Sequence, residues 1–252
     1  IDPVNGTDPI TGTAEPGTTV TVTFPDGSEA EAVADEDGNW SVPNPGNLED
    51  GDEVTAVATD PAGNTSDPAT AIVDATAPVV TLDEVVTNDN TPELTGTVDD
   101  PEATVVVTID GVDYDAVNNG DGTWTLADDV VAELADGDHE VTVTATDAAG
   151  NEGSTTGTIT IDTVAPDAPV IDPVNGTDPI TGTAEPGTTV TVTFPDGSTA
   201  EAVVDEDGNW SVPNPGLEDG DEVTAVATDE AGNSSDPTTA IVDGTAPVVT
   251  LD

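Results

Sequence analysis

The sequence predicts an all-β chain, a tandem array of three β-sandwich modules of about seven strands each, set end to end. Three observations carry that prediction. Apolar residues alternate with polar ones in short runs, the mark of a strand with one wet face. Turn dipeptides with a residue suited to positive φ separate the runs: Asn5-Gly6, Asp26-Gly27, Asp37-Gly38, Asp50-Gly51 and Gly63-Asn64. The chain also repeats itself, and no window has a helical period.

The repeat sets the boundaries. Residues 1–46 and 171–216 are nearly the same sequence, and the match resumes after Asn47, an insertion, to run through VVTLD at 248–252. A diverged relative lies between the copies: its TPELTGTVDDPEATVVVTIDG and DGDHEVTVTATDAAGN answer DPITGTAEPGTTVTVTFPDG and DGDEVTAVATDPAGN. The order is A–B–A, with module A at 1–77, B at 78–165, the second A at 166–246, and the start of another B at 247–252. Each is the size of a small sandwich. The chain opens inside a repeat, as a piece cut from something longer would.

In the first module strands are expected near 1–4, 10–14, 18–24, 29–34, 40–42, 54–59 and 69–74. Val20, Val22 and Phe24 face one way and Thr19, Thr21 and Thr23 the other, threonine giving β-propensity without charge. Val105, Val107 and Ile109 repeat the pattern in module B. Trp40, Trp124 and Trp210 each follow a turn and share a face with Val42, Leu126 and Val212. A lone aromatic can be a sugar-stacking platform, but one per module at the same strand position reads as a core plug. Alanine at Ala56, Ala58, Ala225 and Ala227 keeps the cores small, with little stability to spare.

Charge decides the chemistry. The chain has 54 Asp and Glu, no Lys or Arg, one His, and a formal charge of −54 over 252 residues. No carboxylate has a lysine or arginine to pair with, so balance must come from solution, and self-repulsion on this scale opposes any compact state. The alternating apolar runs argue against the disorder that such acidity often brings. Nucleic acid and anionic membrane surfaces are excluded as partners, since both need basic residues. With no Cys, Lys or Arg there is no disulfide, thiolate site, Schiff base or phosphate site, and with one His a Ser-His-Asp site is hard to build. Paired carboxylates abound, but a glycosidase needs one acid raised in a concave cleft. The reading is that the chain is not an enzyme, takes no small-molecule substrate, and is a monomer whose partners are the neighbouring modules of the same chain. His139, beside the turn Asp136-Gly137-Asp138, is expected to be exposed.

Taken together, TGTAEPGTTVTV at 11–22, DEDGNWSV at 35–42, and ATDPAGN, ATDAAGN and ATDEAGN at 58–64, 145–151 and 227–233 resemble the bacterial immunoglobulin-like extender repeats of giant type I-secreted, RTX-type adhesins. The linkers DATAP, DTVAP and DGTAP at 74–78, 162–166 and 243–247 complete the pattern. The resemblance covers essentially the whole chain. It implies immunoglobulin-like sandwiches, an extracellular place on a bacterial cell surface, a spacer role in adhesion and biofilm formation, and Ca2+ at the module junctions.

Topology says where such ions would sit. In a path that alternates direction strand by strand, the loops at 15–17, 35–39 and 60–64 share the leading end of a module. Those at 5–8, 26–27 and 48–52 share its trailing end with Asp74. Stacking then sets Asp74 beside Asp99, Asp100, Asp121 and Asp147, and Asp162 beside Glu185, Asp207 and Asp229. Glu15 and Asp60 are the equivalent leading positions of the first module, and Asp243 the trailing position of the last. Carboxylates about 4 Å apart repel by roughly 4 kcal/mol at an effective dielectric of 20, and a hard cation with six to eight oxygen ligands reverses the sign. A second reading stays open: Asp60, Asp147 and Asp229 each begin a D-x-x-G-N hairpin, where Asp caps amides without a metal. For 35–39 the plain turn is expected, since the glycine falls at the wrong position for an EF-hand. The function classes left are a Ca2+-rigidified spacer, a module that binds a sugar or protein directly, and an accessory region of a secreted hydrolase. Near-identity of the two A copies favours the spacer.

Overall fold

The computed structural model describes residues 1–250, and among them every regular element is a strand. The first module holds β1 (Ile10–Thr13), β2 (Thr19–Thr23), β3 (Glu29–Val33), β4 (Asn39–Val42), β5 (Glu53–Thr59) and β6 (Ala69–Ile72). The middle one holds β7 (Val85–Thr87), β8 (Leu94–Thr97), β9 (Thr104–Ile109), β10 (Val112–Asn118), β11 (Thr123–Leu126), β12 (Gly137–Thr146) and β13 (Glu152–Ile161). The third holds β14 (Val170–Ile171), β15 (Ile180–Thr183), β16 (Thr189–Thr193), β17 (Thr199–Val203), β18 (Asn209–Val212), β19 (Glu222–Thr228) and β20 (Thr238–Ile241). The chain packs as two compact units, divided within the middle module: 1–83, 93–130 and 140–157 form one, and 84–92, 131–139 and 158 onward the other.

In the first unit, the first module is a sandwich of a β1–β4 pair and a β3–β2–β5–β6 sheet. Its inner faces bury Val20, Val22, Phe24, Trp40, Val42 and Val54, as the alternation predicts. The expected strand at 1–4 is instead a single bridge from Val4 to Val73. Pro3 offers no N–H to continue a ladder. In the same unit β8, β11, β10, β9 and β12 lie side by side in that order. Here β10 runs for 7 residues and pairs with both β9 and β11, joining what the first module keeps as separate sheets.

In the second unit, β7 pairs in parallel with the end of β13. The third module repeats the first, with β14–β15–β18 packed on β17–β16–β19–β20 around Trp210, Phe194 and Val192. His139 corrects an expectation. It is half-buried, not exposed, and its Nε2 lies 2.8 Å from the Ala135 carbonyl oxygen across the turn before β12. The expected start of another B module at 247–252 falls partly on 251–252, outside the described residues; 247–250 forms no strand.

Loops sort into the two ends as the alternating path requires. At the leading end of the first module, Ala14 N donates to Gly38 O (2.8 Å) and Gly17 N to Ala34 O (2.9 Å). At the trailing end, Gly51 N donates to Val73 O (2.8 Å) and Asp74 N to Val4 O (2.9 Å). The same bonds recur in the third module, where Gly220 N meets Val242 O and Asp243 N meets Val174 O.

Each tryptophan sits opposite a glycine in the ladder: Gly12 across from Trp40, Gly96 from Trp124, Gly182 from Trp210. A Cβ there would come within 2.5 Å of the Trp40 ring and 2.6 Å of the Trp210 ring. The ring lies flat on the glycine, so the T-G-T strand and the tryptophan strand are one packing unit.

Candidate metal sites at the module junctions

The D-x-x-G-N loop is built from its own residues. Asp60 N donates to Asn64 O (2.9 Å) and Gly63 N returns to Asp60 O (3.0 Å), closing the turn with Gly63 at φ +90°. Oδ1 of Asp60 accepts the amides of Ala62 and Asn64, each at 2.8 Å, while Oδ2 accepts Asn64 Nδ2 at 2.7 Å. Those bonds, the Asn64 side chain first, hold the Asp60 carboxyl below the usual aspartate range. Asp147 and Asp229 repeat the arrangement with Asn151 and Asn233. The capped-turn geometry is therefore present at all three. Asp35 caps its turn the same way, through Asp37 N and Asn39 N, the plain turn expected at 35–39.

Within the first unit, Asp74, Asp99, Asp100 and Asp147 line one cleft of about 240 Å³ together with Thr76, Ala77 and Pro78 of the linker. Sequence reasoning placed these four together, and they are together. Each holds a backbone amide with Oδ1: Thr76 N on Asp74 (3.1 Å), Val79 N on Asp99 (2.7 Å), Glu102 N on Asp100 (2.9 Å) and Ala149 N on Asp147 (2.8 Å). The amides fix where the carboxyls stand, and Asp74, Asp99 and Asp100 keep Oδ2 outside those bonds. Asp147 is the most committed, with both oxygens engaged inside its loop. Asp121, expected nearby, does not line the cleft and caps Thr123, whose hydroxyl holds its carboxyl low.

Within the second unit, Asp162 Oδ1 accepts Val164 N (2.9 Å) in the linker, and Asn233 Nδ2 links the Asp162 carbonyl (2.7 Å) to Asp229 Oδ2 (2.9 Å). Glu185 contributes its backbone carbonyl to Thr188 N (3.2 Å) and Oγ1 (2.7 Å). Asp205 accepts the amide of Asp207, so that residue too belongs to a turn. Glu15 and Asp60 share a cleft of about 390 Å³ at the leading end of the first module. Asp243 caps the amide of Thr245 (3.0 Å), as Asp74 caps Thr76.

Among the described residues, no three His, Cys, Asp or Glu side chains converge as ready-made metal ligands. The Asp74 cleft supplies the chemistry of a hard-cation site, oxygen donors only, with its carboxyls turned to their amides. What sequence reasoning passed over is the asparagine that closes each loop: Asn151 Nδ2 donates to the Asp74 carbonyl at 2.7 Å, as Asn233 does to Asp162. The signal lies in the sequence, since Asn ends all three D-x-x-G-N motifs, but an asparagine in a turn has a sufficient local explanation.

Comparison with known proteins agrees with the fold. Residues 3–75 and 165–244 match the bacterial Ig domain, and 80–163 the bacterial Ig-like domain. Among solved structures, the tetra-tandem repeat in the extending region of a large adhesion protein is 29% identical (96% of this chain, 73% of that one, TM-score 0.34). Part of a 1.5-MDa bacterial ice-binding adhesin is 24% identical (95% and 92%, TM-score 0.34). A Ca2+-stabilized adhesin with which an Antarctic bacterium binds ice is 25% identical (96% and 70%, TM-score 0.32). No curated protein matches the chain.

Proposed function

The chain belongs to the bacterial Ig domain family, and from that premise we propose that it is a Ca2+-rigidified extender of a large bacterial cell-surface adhesin. In this reading it stands outside the cell, exported by a type I system. It spaces a distal ligand-binding region from the surface for adhesion and biofilm formation. It does no catalysis.

The observation that carries the reading is the cleft of Asp74, Asp99, Asp100 and Asp147 around the linker Thr76–Ala77–Pro78. Four carboxylates around a short linker, in a chain without Lys or Arg, repel one another and weaken the junction. Calcium takes six to eight oxygens in flexible geometry, and Asp74, Asp99 and Asp100 would hold it with linker carbonyls. A bound ion would neutralise the cluster and fix the linker. The chain's own part is to place the oxygens: the amides of Thr76, Val79 and Glu102 hold one oxygen of each carboxyl. Two nearly identical A copies suit a spacer, since a binding site would be expected to set one copy's loops apart. By their equivalent positions in the repeat, Asp162, Glu185 and Asp229 are proposed for the second junction.

Calorimetric titration of the metal-stripped chain with Ca2+, with melting followed in Ca2+, Mg2+ and EDTA at fixed ionic strength, tests it. At a hundredfold excess over Kd, calcium adds about 2.7 kcal/mol per site. Mg2+ should add much less, because it keeps its waters and demands octahedral geometry. Equal melting in all three solutions reduces the effect to charge screening and removes calcium from the proposal.

A further inference from the structure

Two loops, in separate units, make the same pair of contacts. In the first unit Ala149 O accepts Asn5 Nδ2 (2.9 Å), while two residues on Asn151 Nδ2 donates to Asp74 O (2.7 Å). In the second unit Ala231 O accepts Asn88 N (3.0 Å), while Asn233 Nδ2 donates to Asp162 O (2.7 Å). An acceptor and a donor two residues apart thus meet the trailing end of the preceding module, once at each junction. The glycine between them faces the asparagine it meets: a Cβ on Gly150 would lie 3.4 Å from Asn5 Nδ2, and one on Gly232 would lie 3.8 Å from Asn88 Nδ2. Both glycines stand at positive φ, +88° and +93°, where a side chain is strained whatever the space.

We infer that the D-x-A-G-N loop is a docking element, a two-point hydrogen-bonded latch that seats each module on the one before it without a metal ion. The groups that cross the junction are amides and carbonyls, all neutral, so the latch does not depend on screening the charge of −54. The aspartate of the loop acts through the asparagine. Asp147 Oδ2 takes one proton of Asn151 Nδ2 (2.8 Å), which aims the other at the Asp74 carbonyl, and Asp229 does so for Asn233 (2.9 Å). Asp147 and Asp229 are therefore positioning residues, and this role stands whether or not calcium binds at Asp74, Asp99 and Asp100.

The first module supplies the control. Asn64 Nδ2 bonds Asp60 Oδ2 at 2.7 Å in the same loop, with no bond to another module among the described residues. The chain has no cysteine, so Glu31→Cys and Asp115→Cys, both exposed strand positions in the first unit, take a spin-label pair cleanly. The distance between them is measured by pulsed electron resonance in EDTA. The unsubstituted junction should give a narrow distribution. Asn151→Asp, which puts an acceptor against an acceptor, should lower the ratio of docked to undocked molecules about tenfold. Asn64→Asp should leave the distribution unchanged. Should Asn151→Asp unfold the middle module, seen in Trp124 fluorescence, Asn5→Ala removes the other contact from outside the loop and should broaden the distribution likewise. Equal widths with and without the substitution, or equal broadening by Asn64→Asp, overturn the latch. So does a distribution already broad in EDTA; if that one narrows in calcium, the latch fails while the calcium reading survives.

Discussion

The middle and third modules hold the same tryptophan in two different ways. In the middle module Trp124 is fully buried and its Nε1 donates to the Thr81 carbonyl at 2.8 Å. In the third module Trp210 is as deeply placed, yet its Nε1 has no partner among the described residues. The ladder beside the ring differs too. The strand β10 continues past the core and pairs with β11 through Val117–Thr125 and Asn118–Trp124, closing that side. In the flanking copies β3 and β17 stop at Val33 and Val203, and open clefts of about 440 and 460 Å³ run beside Trp40 and Trp210. The valines at their rims are 64% and 71% exposed. One sandwich can therefore be closed by backbone pairing or left open; the rim valine is exposed in both forms, Val117 by 62%, and in the third module the open form leaves a buried indole N–H without a partner among the described residues.

The largest effect that tests this contrast comes from the glycines under the rings. Gly96→Ala would push a methyl into the Thr81 carbonyl and toward Trp124 Nε1 at 2.7 Å, breaking the bond that closes the middle core. Overpacking against backbone, which cannot swing away, should destabilise the middle module by about 3 kcal/mol in urea unfolding of the whole chain. Gly12→Ala meets chiefly the Trp40 ring and the chain at Ile1 and should do less harm. Equal losses at both positions would mean that the indole hydrogen bond adds nothing to the packing.

Replacing the tryptophans comes next. Trp124→Phe leaves a void and strands the Thr81 carbonyl. Trp210→Phe leaves a similar void but removes a buried N–H that had no partner. The first should be the costlier by about 1 kcal/mol, the size of one buried hydrogen bond. If Trp210→Phe proves as damaging, its Nε1 has a partner in solution, such as a water, and the contrast between the modules is smaller than the geometry indicates.

These features differ in how far they could be read from the amino acids. The alternation of Val20, Val22 and Phe24 with threonine states the burial pattern outright, because strand periodicity is local. The gathering of Asp74, Asp99, Asp100 and Asp147 followed from chain direction alone, since strands that alternate in direction must send their loops to two ends. The joining of two sheets by β10 was not legible. Strand-forming residues do not say which neighbours a strand will pair with, and here the pairing is set at its end, where Asn118 Nδ2 donates to the Asp100 and Ala103 carbonyls. The latch was hidden for another reason. Asparagine in a turn has a sufficient local explanation, so the long-range bonds of Asn151 and Asn233 add nothing that sequence can display.

The smallest effect concerns the turns that cap themselves with carboxylates. Asp26 and Asp196 of the A copies each hold a serine hydroxyl at 2.6 Å, and Asp121 of the middle module holds the Thr123 hydroxyl at 2.6 Å. In each case the side-chain hydroxyl, then the backbone amide of the same residue, holds the carboxyl below its ordinary value. A carboxyl depressed by folding contributes stability above its unfolded pKa of about 3.9 and loses it as pH falls through the folded value. All three are fully exposed, so the contribution is small, and whole-chain melting will not isolate it. Protonation of the remaining carboxylates over the same range relieves self-repulsion and pushes the other way. Carboxyl carbon shifts followed residue by residue through an acid titration separate the two trends. Ser28→Ala should bring Asp26 up toward the ordinary range while Asp196 stays low, and Thr123→Ala should do the same for Asp121 alone. An Asp26 titration unmoved by the loss of the serine hydroxyl would assign its low value to the backbone amide.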